Sequence, residues 1–494
     1  MNCPPSCYPK NAMTPAQQQL VSSVLERFGP KSVTTDPQEI APWESDWRGR
    51  YHGSAPALLS PGSTAEVAEM IRLAGQLGVQ IVPQGGNTGM VGGATPPADG
   101  SALLLSTRRM NRIRSIDPVS NLAVVEAGVI LTNFHNAVLD QGRRFPLTLG
   151  AKGSATIGGL VSTNAGGTQV LRFGNMRHLV AGVEAVLPDG SIYEGLAPLK
   201  KDNRGYDLTQ LLIGAEGTIG IVTAATLRLY PAILERAAAW VGVASPQDAL
   251  KILRMMEART TTIESFEIIP GEILGHVLDH IPGTRSPLAG QHAWHVLIES
   301  VATEAGVEAP GELLGRLLEP VFEAGLAEDA VISASEAQVE AFWHIRDSIS
   351  EAERALGPAM QHDISVPVDK MPGFMLSAAV EAERRFPGTT ATAFGHLGDG
   401  NVHFHVRAPQ GADRDTWYAG DGPAVSRLVY DLVVAEGGSI SAEHGIGQMK
   451  RAELERLSPP SRIAALKAIK MALDPQGILN PGKLVSLAPG AGTP

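Results

Sequence analysis

Glycine is concentrated in two regions of this chain, and this clustering restricts the possible folds more than any other feature. The chain has 54 glycines in 494 residues, more than the roughly 7% that is usual in proteins. Five lie in residues 85–93 and fourteen in residues 150–220. Short apolar runs bracket them at 79–82, 102–105, 123–126, 183–187 and 219–223. Glycines at the ends of buried strands indicate tight backbone turns that approach a ligand closely.

Length, composition and charge exclude several classes of protein. A chain of 494 residues with 44% hydrophobic and 18% charged residues is globular and has two or three domains. The net charge is −11 and no basic run of five residues is present, which argues against a nucleic-acid or anionic-membrane surface. No apolar run approaches the roughly 20 residues of a membrane span. The N-terminal stretch shows no targeting signal, so we expect a cytoplasmic protein.

Several common sites are also excluded. The two cysteines, Cys3 and Cys7, lie at the N-terminus, so the body of the chain has no disulfide framework, cysteine-ligated metal centre or catalytic thiol. The segment 477–483 has the spacing of a phosphate-binding Walker loop, but Leu484 follows where Ser or Thr is needed. The run Gly-Ile-Gly at 445–447 lacks the third glycine of a dinucleotide fingerprint.

The chain up to residue 231 alternates predicted helices and strands. Thr14 as N-cap and a proline at the next position predict a helix over 14–28. Residues 64–77 predict an amphipathic helix that leads into the strand 79–82, as in a βαβ unit. From about residue 232, Glu- and Ala-rich helical stretches alternate with strands, which indicates a second, α+β domain. Helices are predicted at 246–259, 308–325, 336–356, 372–385 and 458–473, and strands at 240–244 and 294–299.

The segment PQGGNTG, residues 83–89, directly follows a predicted strand. Successive glycines let backbone N–H groups converge on an anion, and Asn87 and Thr88 add side-chain donors. A pyrophosphate is the expected ligand. A plain glycine-rich turn is the alternative from this segment alone.

A second set of motifs favours the nucleotide-binding interpretation. Residues 150–175 read GAKGSATIGGLVSTNAGGTQVLRFGN, and residues 214–223 read GAEGTIGIVT. With the first loop, this ordered set resembles the FAD-binding domain of the vanillyl-alcohol oxidase / p-cresol methylhydroxylase superfamily. The resemblance covers residues 50–231 and implies an FAD held between two α+β subdomains. Because neither glycine-rich loop contains His or Cys, we expect the FAD to be noncovalent.

The resemblance also implies which residues contact the flavin. The C-terminal motif LNPGK, at 479–483, is similar to the family's segment that folds back toward the cofactor. The implied cofactor-binding residues are Pro83, Gly85, Gly86, Asn87, Thr88, Gly89, Gly150, Ser154, Gly158, Thr163, Asn164, Glu216, Gly217, Gly220, Ile221 and Asn480.

Four of the 13 histidines lie in two short, glycine-flanked motifs. In GHLGDGNVHFHV, the alternation of residues places His403 and His405 on one face of a strand, and His396 lies across the Gly-Asp-Gly turn. The motif AEHGIG adds Glu443 and His444. Two histidines and one glutamate with open positions suit catalytic Zn²⁺, with Mn²⁺ or Fe²⁺ as alternatives. Histidines that are merely hydrogen-bonded are the structural alternative.

These motifs resemble the D-2-hydroxyglutarate dehydrogenase / D-lactate dehydrogenase / glycolate oxidase branch of the flavoenzymes. The resemblance implies that His396, His403 and Glu443 bind the metal and that His444 is the catalytic base. Oxidation of an alcohol by hydride transfer to flavin N5 requires loss of the hydroxyl proton. A divalent metal on the hydroxyl lowers its pKa, and a nearby imidazole accepts the proton.

Four further residues concern the substrate. A predicted helix carries Arg346 and Ser350 four positions apart, hence on one face, and an arginine there can bind a carboxylate bidentately. A solvated or ion-paired arginine is the alternative. Gln361 stands where hydroxyglutarate-type enzymes carry Lys, and His405 stands where they carry Asn. The loss of a cation at position 361 weakens the case for a second carboxylate on the substrate, and His405 changes the pattern of hydrogen-bond donors beside the metal.

We therefore expect an α+β protein with an FAD-binding domain in residues 1–231 (core 50–231), a substrate-binding domain with the metal site in 232–450, and a C-terminal segment, 451–494, that packs back on the FAD domain. The predicted reaction is metal-assisted oxidation of a D-2-hydroxy acid, of the D-2-hydroxyglutarate or D-lactate class. Its electrons leave to an external acceptor such as an electron-transfer flavoprotein or a quinone. The alternatives are a glycolate-oxidase-type subunit with an iron–sulfur partner and a non-catalytic flavin-binding protein. The oligomeric state stays open, with a homodimer as one candidate.

Overall fold

A computed structural model of the chain describes residues 13–199 and 201–487. Contacts divide the chain into two compact units. The first comprises Met1–Ala165, Asn175–Tyr230 and His444–Pro494, and the second comprises Gly166–Gly174 and Pro231–Glu443. The functional boundaries expected at 231 and 450 stay predictions, and Cys3 and Cys7 lie outside the described residues.

Short helices and strands alternate through residues 13–231. The helices are α1 (Pro15–Phe28), α2 (Pro37–Ile40), α3 (Thr64–Leu77), α4 (Leu131–Leu139), α5 (Ile157–Thr163), α6 (Val170–Phe173), α7 (Met176–Leu179) and α8 (Leu208–Leu212). The strands are β1 (Val33–Thr34), β2 (Leu58–Leu59), β3 (Gln80–Gln84), β4 (Ala102–Ser106), β5 (Ile113–Asp117), β6 (Leu122–Glu126), β7 (Arg143–Arg144), β8 (Val180–Val186), β9 (Ile192–Gly195), β10 (Ile221–Arg228) and β11 (Tyr230–Pro231).

Local sequence explains the bounds of the two longest helices in this region. Thr14 caps α1 in a reciprocal capping box with Gln17. Ser63 caps α3, which ends at Gly78 in the left-handed conformation with φ of 66°. Both predicted helices are confirmed.

Two sheets organise the first unit. The first has the strand order β1-β2-β4-β3, with β3 and β4 parallel. Helices α1 and α3 contribute their apolar side chains to one buried cluster with this sheet. The second sheet has the order β5-β6-β10-β8-β9, and its described pairings are antiparallel. The C-terminal segment adds to β3, because Ile81 N–H donates to the Ile478 carbonyl and Asn480 N–H donates to the Ile81 carbonyl.

The second unit is built on one seven-stranded antiparallel sheet of order β15-β12-β14-β13-β17-β18-β16. Its strands are β12 (Glu235–Val243), β13 (Ile263–Pro270), β14 (Trp294–Ala302), β15 (Asp329–Ile332), β16 (Ala359–Ser365), β17 (Thr390–His396) and β18 (Asn401–Arg407). Its further helices are α9 (Pro246–Glu257), α10 (Gly271–His280), α11 (Pro310–Glu323), α12 (Glu336–Asp347), α13 (Ile349–Ala355), α14 (Met371–Arg385), α15 (Arg414–Ala419) and α16 (Asp421–Ala435). The last segment of the chain carries α17 (Arg451–Leu457) and α18 (Pro460–Leu473).

One predicted helix differs from the structure in a way that concerns the site. The helix predicted over 336–356 is interrupted at Ser348, which ends α12 and precedes α13. Arg346 and Ser350 therefore stand in separate helices, and Ser350 is exposed while the Arg346 side chain is largely buried. The expectation that they share one helix face was wrong, since the helix does not continue between them.

No helix within residues 13–199 and 201–487 combines the length and the apolar character that crossing a membrane requires.

Candidate active site

The two predicted glycine-rich segments meet in the first unit. A Cβ atom on Gly85 would lie 2.2 Å from Thr156 Oγ1, and one on Gly86 would lie 2.0 Å from the Ser154 carbonyl oxygen. The loop after β3 can therefore pack against residues 154–156 only because it lacks side chains there.

Arg108 adds a cation to this loop, and sequence reasoning missed it. Its Nε donates to the Gly85 carbonyl at 3.3 Å and its Nη2 donates to the Gly86 carbonyl at 3.4 Å. The guanidinium lies over the ring of Trp43, 4.4 Å from its centroid. Arg108, Ser154 and Thr156 also line a cavity of about 370 Å³. The available signal was the pair of arginines just after β4.

Left-handed backbone conformations coincide with the predicted cofactor residues. Six non-glycine residues of the described chain have positive φ, and four of them are Asn87, Asn164, Glu216 and Asn480. Such conformations are costly for residues with a Cβ and are typical of functional sites. The side chains of the three asparagines hold the chain itself, with bonds to Ser45, Arg177 and Gly93 respectively.

Several buried polar atoms of this region have no hydrogen-bond partner among the described residues. All of these atoms lie in or beside the glycine-rich segments. They are Gln84 Oε1, Thr95 Oγ1, Thr107 Oγ1, Thr156 Oγ1 and Asn480 Oδ1. Buried polar groups are normally paired. A concentration of unpaired donors and acceptors around a glycine loop fits a polar cofactor such as FAD.

Three other predicted cofactor residues are glycines that let neighbouring segments pack closely. A Cβ on Gly158 would lie 2.6 Å from Ala127 Cβ, one on Gly217 would lie 2.5 Å from Pro83 Cγ, and one on Gly220 would lie 2.7 Å from Leu212 Cδ2. Thr163 Oγ1 donates to the Gly159 carbonyl within α5, and Ile221 is a buried residue of β10. Gly89 and Gly150 have open space at the Cβ position.

Glu216 was predicted to bind the cofactor, but its carboxylate binds the chain. Oε1 accepts from Ile446 N–H at 2.8 Å, and Oε2 accepts from Gly447 N–H at 2.7 Å. Burial raises the pKa of Glu216, and the two N–H donors, Lys450 and Lys483 oppose this rise. The carboxylate thus holds the loop that follows His444.

The second unit carries a buried ionisable cluster centred on Glu267 of β13. Its Oε1 lies 2.6 Å from His396 Nδ1, and its Oε2 accepts from Arg346 Nε at 2.8 Å. Arg346 Nη2 also lies 3.2 Å from His396 Nε2. Burial alone would lower the pKa of His396, but the Glu267 carboxylate raises it to about 9. Sequence reasoning missed Glu267, whose signal was a carboxylate within an apolar strand.

The remaining members of the cluster come from β16, β18 and the end of the unit. The rings of His396 and His403 have centroids 5.4 Å apart. Asp363 lies opposite His403 in the register of β16 and β18. Its Oδ1 accepts from Asn401 Nδ2 and its Oδ2 accepts from Glu443 N–H, both at 2.9 Å. Asp363 was also missed.

The charges of this cluster fit a divalent cation. Burial raises the pKa of Glu443 to about 7; His396 opposes the rise, while Asp363 and Asp399 add to it. Burial and the neighbouring His396 lower the pKa of His403 well below its ordinary value, which keeps it in the neutral form that a metal ligand needs. Asp363 and Glu443 present carboxylate oxygens within 4.8 Å of each other. Crowded carboxylates beside a neutral imidazole are the donor set that Zn²⁺ or Mn²⁺ prefers.

The predicted substrate residues His405 and Gln361 lie directly opposite each other on β18 and β16. His405 Nδ1 is buried and lies 3.6 Å from Glu353 Oε2. Glu353 also accepts from Arg407 at 2.9 Å and pairs with His276 at 2.8 Å. Although burial raises it, these partners lower the pKa of Glu353 to about 2. Arg346 and Arg407 are therefore both ion-paired within the unit.

His444 follows Glu443 directly and begins the last segment of the first unit. It stands two residues before Ile446, the first of the two backbone donors to Glu216.

Two protein-family models match successive parts of this chain. Residues 55–195 match the FAD binding domain model, and residues 234–484 match the model of the C-terminal domain of FAD linked oxidases. The chain is 38% identical over 464 residues to the mitochondrial D-2-hydroxyglutarate dehydrogenase of Bos taurus, covering 94% of this chain and 83% of that protein. It is 36% identical over 452 residues to the D-2-hydroxyglutarate dehydrogenase of Xanthomonas citri pv. viticola, covering 92% and 94% respectively. The structure of p-cresol methylhydroxylase superposes with a TM-score of 0.73 at 16% identity, covering 96% of this chain and 98% of that one.

Proposed function

This chain belongs to the family of FAD-linked oxidases that includes the D-2-hydroxyglutarate dehydrogenases, and we propose that it oxidises a D-2-hydroxy acid to the 2-oxo acid. The predicted family and fold class are confirmed. The observation that supports the reaction most directly is the buried cluster around His396, because it combines the neutral imidazole of His403 with the crowded carboxylates of Asp363 and Glu443 beside Arg346.

The residues of the chain have separate tasks in this reaction. Arg346 binds the substrate carboxylate through guanidinium N–H groups other than Nε, which donates to Glu267. His444 accepts the hydroxyl proton as general base. Residues of the glycine-rich segments and Asn480 hold the noncovalent FAD, which when bound accepts the hydride. His396, His403 and Glu443 would hold a divalent metal, for which Zn²⁺ is the first candidate and which would lower the pKa of the substrate hydroxyl. Because Glu267 raises the pKa of His396, His396 would release a proton when the metal binds.

The substrate is proposed to carry one carboxylate, as in the D-lactate class, in spite of the names of the relatives. Gln361 supplies an uncharged amide where the hydroxyglutarate-type pattern has a lysine, and Arg407, which lies on β18 together with His405, is already paired with Glu353. A second carboxylate would therefore meet no unpaired lysine or arginine at these positions. D-2-hydroxyglutarate is the second candidate, because relatives of that name share over a third of the sequence.

Electrons are proposed to leave to an external acceptor, an electron-transfer flavoprotein or a quinone, in the cytoplasm. The only cysteines are Cys3 and Cys7, too few for an iron–sulfur cluster within the chain. A glycolate-oxidase-type complex with an iron–sulfur partner is the alternative.

The test is an anaerobic titration of the purified protein with matched D- and L-2-hydroxy acids, followed by flavin absorbance. We expect bleaching by D-acids alone, lost after chelation and restored by Zn²⁺ or Mn²⁺. D-lactate should bleach at lower concentration than D-2-hydroxyglutarate. Bound flavin that no hydroxy acid bleaches would exclude this reaction for the isolated chain, and recovery with an added partner would select the complex.

His444→Ala provides the matched variant for this titration. It should retain FAD yet lose substrate-driven reduction by at least about 100-fold, since general base catalysis contributes on the order of 10²–10⁴. Reduction at a rate near that of the unmodified protein would refute the assignment of His444 as the base.

A further inference from the structure

One buried carboxylate, Glu216, holds together separate segments of the first unit. Its side chain accepts the consecutive N–H groups of Ile446 and Gly447, at 2.8 and 2.7 Å. Its own carbonyl accepts from Asn480 Nδ2 at 2.7 Å. Glu216 adopts a left-handed backbone with φ of 53°. A residue with a Cβ is held in that conformation only where its surroundings enforce it.

The loop that Glu216 binds is shaped to receive this carboxylate. Gly445 has φ of 79°, and a Cβ there would lie 3.0 Å from Glu216 Oε1. Gly447 has φ of 52°, and a Cβ there would lie 2.3 Å from the Val91 carbonyl oxygen. That carbonyl also accepts from the N–H groups of Gln448 and Met449. The loop 445–449 is thus fixed from two sides, by a carboxylate and by a carbonyl.

The bond from Glu216 matters for the site because the loop begins one residue after His444. Two charge-assisted hydrogen bonds to consecutive backbone N–H groups fix both the position and the orientation of a peptide segment. An error of about 1 Å in a reacting group can cost on the order of 100-fold in rate. The backbone from which the His444 imidazole projects therefore depends on Glu216.

We propose that Glu216 is a positioning residue that holds the 445–447 loop and thereby places His444 to accept the substrate proton. This role rests on the proposed function of His444 as the base. It differs from the flavin contact predicted from the sequence, because both carboxylate oxygens are bonded to the chain.

The test compares Glu216→Gln with Glu126→Gln by two measurements on the full, FAD-loaded protein. Glu126 is also a buried carboxylate of the first unit and accepts the N–H of Arg112 at 3.0 Å. Amide hydrogen exchange of residues 445–448 should be at least about 10-fold faster in Glu216→Gln, because a glutamine amide offers one acceptor oxygen for two donors. Anaerobic flavin reduction by the best D-2-hydroxy acid should be about 10–100-fold slower, with little change in the substrate concentration for half-saturation. Glu126→Gln should change neither quantity.

The outcomes separate this inference from the proposed function. Unchanged exchange at 445–448 in Glu216→Gln, or faster exchange with normal flavin reduction, would overturn the positioning role. If no hydroxy acid reduces the unmodified protein, the proposed function fails, and the exchange measurement still decides whether Glu216 holds the loop. Should Glu216→Gln fail to fold, Gly445→Ala perturbs the same contact from the loop side, and the same two measurements apply. Loss of FAD from Glu216→Gln with unchanged exchange would restore the flavin-contact interpretation.

Discussion

The glycine-rich cradle of the first unit, formed by residues 83–89 and 150–165, and the ionisable cluster of the second unit depend on different chemical groups. The cradle consists of backbone: glycines that allow close approach, asparagines with positive φ, and unpaired polar atoms beside them. The cluster consists of ionisable side chains that β13, α12, β16, β17 and β18 bring to one place. We infer that steric change destroys the first site and that loss of charge destroys the second.

Gly86→Ala should have the largest effect. The new Cβ would lie 2.0 Å from the Ser154 carbonyl oxygen, so the loop or residues 154–155 must move. Overpacking of this kind costs roughly 1–3 kcal/mol of stability, and we expect the protein to be purified without FAD and without any flavin-dependent activity. The ratio of flavin absorbance to protein after gel filtration measures this directly.

Gly159→Ala is the matched control in the cradle. Its Cβ would make an ordinary contact of 3.5 Å with Thr156 Oγ1 inside helix α5, where alanine is the better helix former. FAD should be retained. Equal flavin content in Gly86→Ala and Gly159→Ala would show that close packing of the loop does not define the cradle.

Glu267→Gln should have an intermediate effect, on the chemistry and on stability but not on FAD binding. A glutamine carries no charge and has one acceptor oxygen, so it cannot pair with both Arg346 and His396. Both residues then lose the bond that fixes their orientation. We expect FAD to be retained, Zn²⁺ affinity and substrate-driven reduction each to fall about 10–100-fold, and the substrate concentration for half-saturation to rise. Competition with a colorimetric chelator measures the Zn²⁺ affinity.

Glu264→Gln is the matched control, because it removes a buried charge from β13 that does not belong to the ionisable cluster. Glu264 is equally buried on the same strand and pairs with Arg172 at 2.6 Å. This variant should lose stability but keep Zn²⁺ affinity and reduction. Similar losses in both variants would mean that Glu267 acts through the fold rather than through Arg346 and His396.

The smallest effect on function is expected from a fall in pH that protonates His295, a residue outside both sites. Burial and His292 lower the pKa of His295 to about 4 in the fold, and its Nδ1 accepts from Trp240 Nε1 at 3.1 Å. Because the folded pKa lies below the ordinary value of 6.5, the neutral form stabilises the fold fully above pH 6.5. This contribution, at most about 3 kcal/mol, is lost as the pH falls toward 4.

Denaturant unfolding at pH 7.0, 5.5 and 4.5 measures this dependence, with His295→Gln as the comparison. The slope of unfolding free energy against pH should flatten in the variant, while flavin content and reduction at pH 7 stay unchanged. A slope identical to that of the unmodified protein would assign the acid sensitivity to other groups.

The sequence predicted most accurately those features that are encoded by neighbouring residues. Helices α1 and α3 begin at Thr14 and Ser63 caps, and β18 places His403 and His405 on one face because side chains alternate along a strand. Features that combine distant segments were missed. The pairing of Arg346 with Glu267 and that of Glu216 with Ile446 are two examples.

By itself, the sequence determined the glycine loops, the histidine motifs and the family, since these depend on residue types at short, fixed spacing. Only the tertiary structure decided what each polar side chain binds. Glu216 meets Ile446 across more than two hundred residues of chain, and Glu267 meets His396 across more than one hundred. A carboxylate in a sequence gives no information about its partner, because the partner is chosen by the folding of strands and loops that lie far apart in the chain.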